Sequence, residues 1–356
     1  MYSIGIPKEI KEYERRVSLV PSDIKRLLGS GGSGSGGSSS GGTDITVYIQ
    51  ANAGYEAGYS DEDYAASGAT IVDTIEEVYE NADIIVKVKE PQPREYPLIT
   101  SRHTILSFFH FAGNSRLIEA MLESRAKCYA YETIQDSKGQ FPILSPMSII
   151  AGKKAMIEAD RRLKETRKKN IYNIITIIGV GNVGKAAAEQ AQLLGYQNIY
   201  LIDNDYEKIK AIEQSNPSIY KAYEMNDKNL KKLLIFSNVI VSSIYTNGMK
   251  ASRIITNELL DLMAPTGAII MDVAIDQGGT TEQSVPTTLK KPIIKYKNTS
   301  IYCVPNIPST EPLEASIKLS NAIYPYLHSI LCDAIREDNL YYKELQRGLY
   351  VANKNT

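Results

Sequence analysis

Short apolar runs alternate with amphipathic stretches over the N-terminal part of the chain. The runs predict strands at Ser3–Ile6, Ile45–Ile49, Thr70–Val72, Ile84–Lys87, Thr104–Phe108 and Lys127–Ala130. The stretches between them predict helices at Pro21–Leu28, Ser60–Ser67, Thr74–Glu80 and Asn114–Ser124. Strands and helices in alternation are the signature of a parallel sheet covered on both faces. Ser60, followed by Asp61, Glu62 and Asp63, is a good N-cap with acids in the first turn. A longer helical pattern runs from Met147 to Glu165 and ends in the basic stretch Arg161–Lys169, whose cations suit the negative end of the helix dipole. A second alternating series then runs to Val304, followed by VPNIPSTEP and a long helical pattern over Glu314–Glu337. The N-terminal domain has no closing element of its own, so this last helix is expected to cross back to it. The expected architecture is α/β, with two Rossmann-like doubly wound domains flanking a cleft. Residues 1–140 with 306–356 form one domain, and residues 141–305 form the other.

One segment is foreign to this pattern. Gly29 to Gly42 reads GSGGSGSGGSSSGG, and all 14 residues are Gly or Ser. Such a tract has nothing to bury and behaves as a flexible coil, so it reads as an engineered linker inside the first domain.

Composition narrows the function classes. The 40 Lys and Arg nearly balance the 41 Asp and Glu, for a formal charge of −1, which removes the electrostatic case for nucleic acid or an acidic membrane surface. No apolar run approaches the ~20 residues of a membrane span, and MYSIGIPKEI is not a secretory signal. Cys128, Cys303 and Cys332 are too few and too scattered for a disulfide framework or a zinc cluster, so no metal is expected and a reducing cytoplasmic home is the default.

The second domain opens on a nucleotide signal. Gly179-Val180-Gly181-Asn182-Val183-Gly184 fits G-x-G-x-x-G, follows the apolar run Ile174–Ile178 and opens a helix over Lys185–Leu194. Gly179 permits the tight turn, Gly181 lets the backbone approach a pyrophosphate, and Gly184 allows close helix–strand packing. The next strand, Ile199–Ile202, ends in Asp203, about 20 residues after the last glycine, where a carboxylate accepts from the adenosine ribose hydroxyls and repels a 2′-phosphate. NAD is therefore expected over NADP.

Chemistry must come from elsewhere. Of the three histidines, His328 lies in the final helical pattern and reads as structural, while His103 reads as a solvated turn residue. His110 follows the apolar run Ile105–Phe109, at the strand end where α/β sheets bind ligands. The residues alone leave catalysis and a satisfied core histidine equally open there. Arg16 before Val17–Pro21, Lys89 after Val86–Val88, and Asp276 after Ile269–Ile275 occupy similar places.

GIPKEIKEYERRVSLVP, VKVKEP, LSFFHFA, YETI, SPMSIIAG, the glycine motif, MDVAIDQGG and VPNIPSTEP occur in this order. In this the chain resembles the alanine dehydrogenase family, which includes the matching subunit of nicotinamide nucleotide transhydrogenase, over nearly its whole length outside the Gly/Ser tract. The resemblance implies that Arg16 and Lys89 hold the substrate carboxylate and keto oxygen. It makes His110 the general acid/base and Asp276 the carboxylate that organises water or ammonia. It also implies that Ser148, with Gly179, Gly181, Gly184 and Asp203, binds the cofactor and that Asn306 lies near the nicotinamide. The implied activity is NAD-dependent interconversion of a small 2-amino acid with its 2-oxo acid and ammonia through an imine, and the implied assembly is a homo-oligomer.

Two alternatives stand beside it. The VPNIPS and ERRVSLVPSDIK wording is closer to N5-(carboxyethyl)ornithine synthases, opine-type reductases that join a 2-oxo acid to an amino-acid amine. Glu311 and Glu314, three apart on a helix, would suit a cationic second substrate or simply the helix dipole. A transhydrogenase nucleotide-binding subunit is the other alternative, opposed by His110 and IDQGG.

Overall fold

Each predicted apolar run in the first domain forms a strand, and the amphipathic stretches pack over the sheet. The computed structural model describes residues 2–31, 45–111, 114–166, 168, 170, 172–244, 250–263, 265, 267–331 and 339–351. In chain order the main elements begin with β1 (Tyr2–Ile6), α1 (Pro21–Gly31), β2 (Ile45–Gln50), α2 (Asp61–Ala66), β3 (Thr70–Val72) and α3 (Ile75–Asn81). Next come β4 (Ile84–Lys89), β5 (Thr104–Phe108), α4 (Ser115–Ser124), β6 (Lys127–Ala130) and the long α5 (Leu144–Glu165). They are followed by β7 (Ile174–Ile178), α6 (Asn182–Leu193), β8 (Asn198–Asp203), α7 (Tyr206–Ser215), β9 (Tyr220–Glu224) and α8 (Asp227–Phe236). Then β10 (Val239–Ser242), α9 (Asn257–Met263), β11 (Ile269–Asp272), β12 (Ile293–Tyr296) and β13 (Thr299–Tyr302) lead to α10 (Pro312–Leu331), α11 (Leu340–Gly348) and β14 (Leu349–Val351).

The chain divides into two compact units, Met1–Met147 with Ser309–Thr356, and Ser148–Pro308. The sheet of the first has the order β14-β6-β5-β4-β1-β2-β3. Its strands are parallel except β14, which runs antiparallel to β6. Ile4, Ile6, Val47, Ile49, Ile85 and Ile105 are fully buried in it, each contributing roughly 1.5–3 kcal/mol of apolar burial. Ser60 and Thr74 form complete capping boxes with Asp63 and Glu77 at the starts of α2 and α3.

The second unit has a sheet of order β12-β13-β11-β10-β7-β8-β9, parallel except for the β12–β13 edge. Both sheets are doubly wound. In each, the first strand lies beside a later one and the strand order reverses there, between β1 and β4 and between β7 and β10. Ligands bind outside the carboxyl ends of strands at such a reversal.

Three expectations need correction. His103 is not solvated but 1% exposed: its Nδ1 accepts the Thr100 N–H at 2.9 Å and its Nε2 lies 2.9 Å from the Tyr79 carbonyl oxygen. Those two groups satisfy an imidazole without water. The closing helix, expected over Glu314–Glu337, starts at Pro312 and is described to Leu331; α11 and β14 then complete the first unit. Finally, α1 runs into the Gly/Ser tract as far as Gly31. Residues 32–42 of that tract, and Cys332, lie outside the described residues.

Candidate active site

Arg16, Lys89 and His110 come from three adjacent strands of the first sheet. Arg16 lies in the segment after β1, Lys89 is the last residue of β4, and His110 stands two residues past the end of β5. All three therefore belong to the carboxyl edge, and two of them flank the reversal.

Arg16 and His110 are each held by a specific neighbour. Arg16, 3% exposed, donates through Nε to Glu14 Oε1 at 2.7 Å and through Nη2 to Glu14 Oε2 at 2.6 Å. Glu14 Oε1 also accepts the backbone N–H groups of Arg15 and Arg16. This fork orients the guanidinium before any substrate arrives. The segment after Arg16 is tied to α10, since the N–H groups of Val17 and Val20 donate to the hydroxyls of Ser316 and Ser320. These serines are buried on a helix face, so the crossing helix positions the arginine segment.

His110 has a left-handed backbone, with φ of 51°. That conformation is uncommon away from glycine, and histidine is among the residues that tolerate it. The side chain of Glu132 supports it. Its Oε1 accepts the His110 N–H at 2.6 Å and its Oε2 the Phe109 N–H at 3.2 Å. Glu132 lies in the short turn Tyr131–Thr133 after β6, the strand beside β5. The His110 ring reaches solvent, yet the protein around it removes much of its hydration, and the positive charges of Lys89, Lys11 and Arg16 add to the effect. Together they hold its pKa well below the ordinary 6.5. The imidazole is thus neutral at pH 7 and ready to accept a proton.

The second unit presents its motif at the other reversal. Gly179, with φ of 79°, turns the chain after β7, and a Cβ there would meet the Ser243 backbone at 3.1 Å. At Gly184 a Cβ would lie 2.1 Å from the Gly179 carbonyl, so only glycine lets α6 sit this close to β7. Gly181 caps α6 without a side-chain bond, and a Cβ there would meet nothing within 4 Å. The loop therefore has open space above it and a helix N-terminus beneath, the requirements of a pyrophosphate.

Asp203 ends β8 beside this loop. Its Oδ2 accepts the Val180 N–H at 2.5 Å and pairs with Lys208 Nζ at 3.2 Å, and its Oδ1 accepts the Asp205 N–H at 2.9 Å. Burial pushes its pKa up, but these two N–H groups and Lys208 outweigh burial and leave it lowered. Lys208, five residues further on, thus places a cation beside the Asp203 carboxylate.

Asp276 lies in the turn after β11, exposed, and Asn306, with φ of 57°, lies beyond β13. The Asn306 N–H donates to Asp276 Oδ2 at 3.4 Å, which joins those two expected site residues. Ser148 stands on α5 one turn before Gly152, where a Cβ would lie 2.1 Å from the Val183 carbonyl at the start of α6.

Glu132 was not legible as a site residue because it acts on His110, 22 residues away, which only the fold brings to it; Glu14 lies two residues from Arg16, but a short-range acid–arginine pair carries no mark of a site. Glu314 is exposed and pairs with Lys318 at 2.7 Å, one helical turn away. It behaves as a surface acid of α10. Among the described residues no group of His, Cys, Asp and Glu is placed to hold a metal ion, and no helix is long and apolar enough to cross a membrane.

Two family models match the chain, the N-terminal domain of alanine dehydrogenase/PNT over residues 5–151 and the C-terminal domain over residues 172–356. An alanine dehydrogenase of Halomonas elongata is 32% identical over 91% of this chain and 86% of its own length. One of Staphylococcus epidermidis is 30% identical over 99% of this chain and 95% of its own. A solved L-alanine dehydrogenase, 30% identical, superposes with a TM-score of 0.85 over 98% of this chain and 95% of its own. A transhydrogenase from Sinorhizobium meliloti shares the fold, with a TM-score of 0.77 at 20% identity. With both of its units matched in order by one family, and the doubly wound pair of sheets that family builds, this chain belongs to the alanine dehydrogenase/PNT family.

Proposed function

We propose that the chain is an NAD-dependent amino-acid dehydrogenase that interconverts a small, alanine-like 2-amino acid with its 2-oxo acid and ammonia. The observation that carries this reading is the set of Lys89 at the end of β4, His110 just past β5 and Arg16 in the segment after β1, three adjacent strands, with the arginine pre-oriented and the histidine kept neutral. The glycine loop and α6 would hold the pyrophosphate, Asp203 the adenosine ribose, and Ser148 and Asn306 the rest of the dinucleotide. Bound NAD supplies the acceptor for the substrate hydride.

The remaining steps fall to the chain's own residues. Arg16 clamps the substrate carboxylate in a two-pronged grip and so sets the direction of the Cα–H bond. His110 takes a proton from the substrate nitrogen as hydride leaves Cα, giving an imine. Water, oriented by Asp276, adds to the imine carbon and gives a carbinolamine. Protonated His110 returns its proton to the carbinolamine nitrogen and ammonia departs, while the hydroxyl proton passes to water as the C=O bond forms and Lys89 stabilises the charge developing on that oxygen. Ammonia is favoured over a diamino acid as the nitrogen donor because the relatives matched over nearly the whole chain are alanine dehydrogenases. Small-molecule substrates, a homo-oligomer and a cytoplasmic home belong to the same reading.

A substrate panel tests it. Pyruvate or another small 2-oxo acid with ammonium should oxidise NADH, followed at its absorbance. Consumption only when ornithine or lysine replaces ammonium would establish the opine-type reaction instead.

Cofactor choice is a separate test. Asp203→Ala should raise the KM for NADH on the order of tenfold, with a smaller change in kcat, because the ribose bonds are uniform binding. The same change releases Lys208 toward a 2′-phosphate, so the KM for NADPH should fall. Turnover of the unmodified chain with NADPH equal to that with NADH would contradict the assignment.

A further inference from the structure

We propose that Glu9 is a positioning residue for Lys89: its carboxylate replaces the missing end of β1 and holds the bulge that aims Lys89. The inference rests on the reading of Lys89 as a substrate-binding group.

The argument starts from strand lengths. Strand β1 ends at Ile6 because Pro7 comes next, and a proline has no N–H for the ladder. Ile4 is aligned with Ile84 and Gly5 with Ile85, so β4, which continues to Lys89, outruns its neighbour. On its other side β4 is irregular. Val86 is aligned with Leu106 and Lys89 with Phe108, so one more residue lies on β4 than on β5 between these pairs. That is a β-bulge, which leaves a residue unpaired and re-aims the side chains beyond it.

The N–H of Val88, inside the bulge, finds its acceptor in Glu9 Oε1 at 2.7 Å. Glu9 is itself held in place. Its Oε2 lies 3.4 Å from Lys87 Nζ, and that ammonium, fully buried, is 3.0 Å from Glu95 Oε1. Tyr79 donates to Glu95 Oε1 at 2.9 Å, and the Gln92 N–H to its Oε2 at 2.7 Å. The cluster thus grips the bulge at Val88 and at Lys87 beside it. Its consequence is directional, since successive strand residues point to opposite faces and a slip of one residue would turn Lys89 away. Burial raises the Glu9 carboxyl to about 7 against the opposing charge of Lys87, with Glu14 and Glu95 adding to the rise. A protonated acid still accepts the Val88 bond through its carbonyl oxygen, so glutamine should serve in its place.

The test is steady-state kinetics on Glu9→Ala, Glu9→Gln and Lys89→Met, each with a melting curve. In Glu9→Ala the KM for the 2-oxo acid should rise between about tenfold and a hundredfold, the scale of a misplacement near 1 Å. The KM for NADH should stay within about twofold, a split that general loosening of the fold would not produce. Glu9→Gln should recover the oxo-acid KM to within about threefold of the unmodified chain, the residue of one weakened hydrogen bond. If Glu9→Ala does not fold, the same assay is made on Glu9→Ala combined with Lys87→Met, which removes the underpaired ammonium. A folded Glu9 variant lacking the acceptor, with unchanged oxo-acid KM, overturns the proposal provided Lys89→Met is impaired. Glutamine as damaging as alanine overturns it too. An unimpaired Lys89→Met instead refutes the role given to Lys89.

Discussion

Changing His110 to Ala should lower kcat by a factor on the order of 10²–10⁴, the usual loss when a general acid/base is removed. Two structural facts make the effect specific. The backbone at His110 is held by the Glu132 carboxylate through its N–H, which alanine retains, so the turn after β5 should survive. The ring itself reaches solvent, so its removal leaves no large cavity. Alanine suits the left-handed backbone at this position less well than histidine, so stability read from the melting curve should fall modestly, on the order of 1 kcal/mol, while the KM for NADH should be nearly untouched. The pH profile supplies a second readout. Lost hydration and the charges of Lys89, Lys11 and Arg16 hold the imidazole pKa well below 6.5, and amino-acid oxidation needs it unprotonated. Its kcat/KM should therefore stay level as pH falls through 6.5 and drop only in more acid solution. In His110→Ala that acid limb should be absent from the residual activity. Near-normal turnover in the folded variant would refute the role.

Arg16→Met should cost about 3–5 kcal/mol of stability in the first unit, the range for breaking a buried ion pair from one side. The reason is Glu14, whose side chain has no exposed surface and whose carboxylate would lose both guanidinium bonds. Arg16→Met combined with Glu14→Leu should recover much of that loss, because the uncompensated charge is gone. The double variant should nevertheless bind the 2-oxo acid poorly, with kcat/KM down on the order of a hundredfold or more for a lost charge-assisted clamp. Chemical denaturation and steady-state kinetics on the two variants and the unmodified chain separate the two roles. A double variant with full stability and normal kcat/KM would show the arginine to be a structural ion-pair partner.

Much of the architecture is local and therefore legible. The periodicity of apolar positions marks strands and helices because each depends on neighbours within about four residues. The N-cap at Ser60 is of the same kind. The glycine motif is legible for a related reason, since turn, phosphate approach and helix packing are all demands on one hexapeptide and its flanks. Asp203 belongs with it through its distance along the chain, and the structure joins the two through the Val180 N–H.

The rest needed partners far apart in sequence. Nothing near His103 announces that the Tyr79 carbonyl meets its ring, so a buried histidine read as a solvated one. Sequence alone does not show the strand neighbours of His110; the fold puts it after β5, next to the strand that ends in Lys89, with Glu132 holding its backbone. Glu9 and Glu14 sit among many acids, and neither carries a mark of its role. What the amino-acid order determined by itself was the set of elements, the two alternating series and the nucleotide loop, because short-range sterics and hydrogen bonds decide them. Which strand ends become neighbours, which acid holds His110, and which face Lys89 takes were decided only by tertiary structure. Most of those contacts join residues far apart along the chain, and their energy is realised only when the sheet has closed around them.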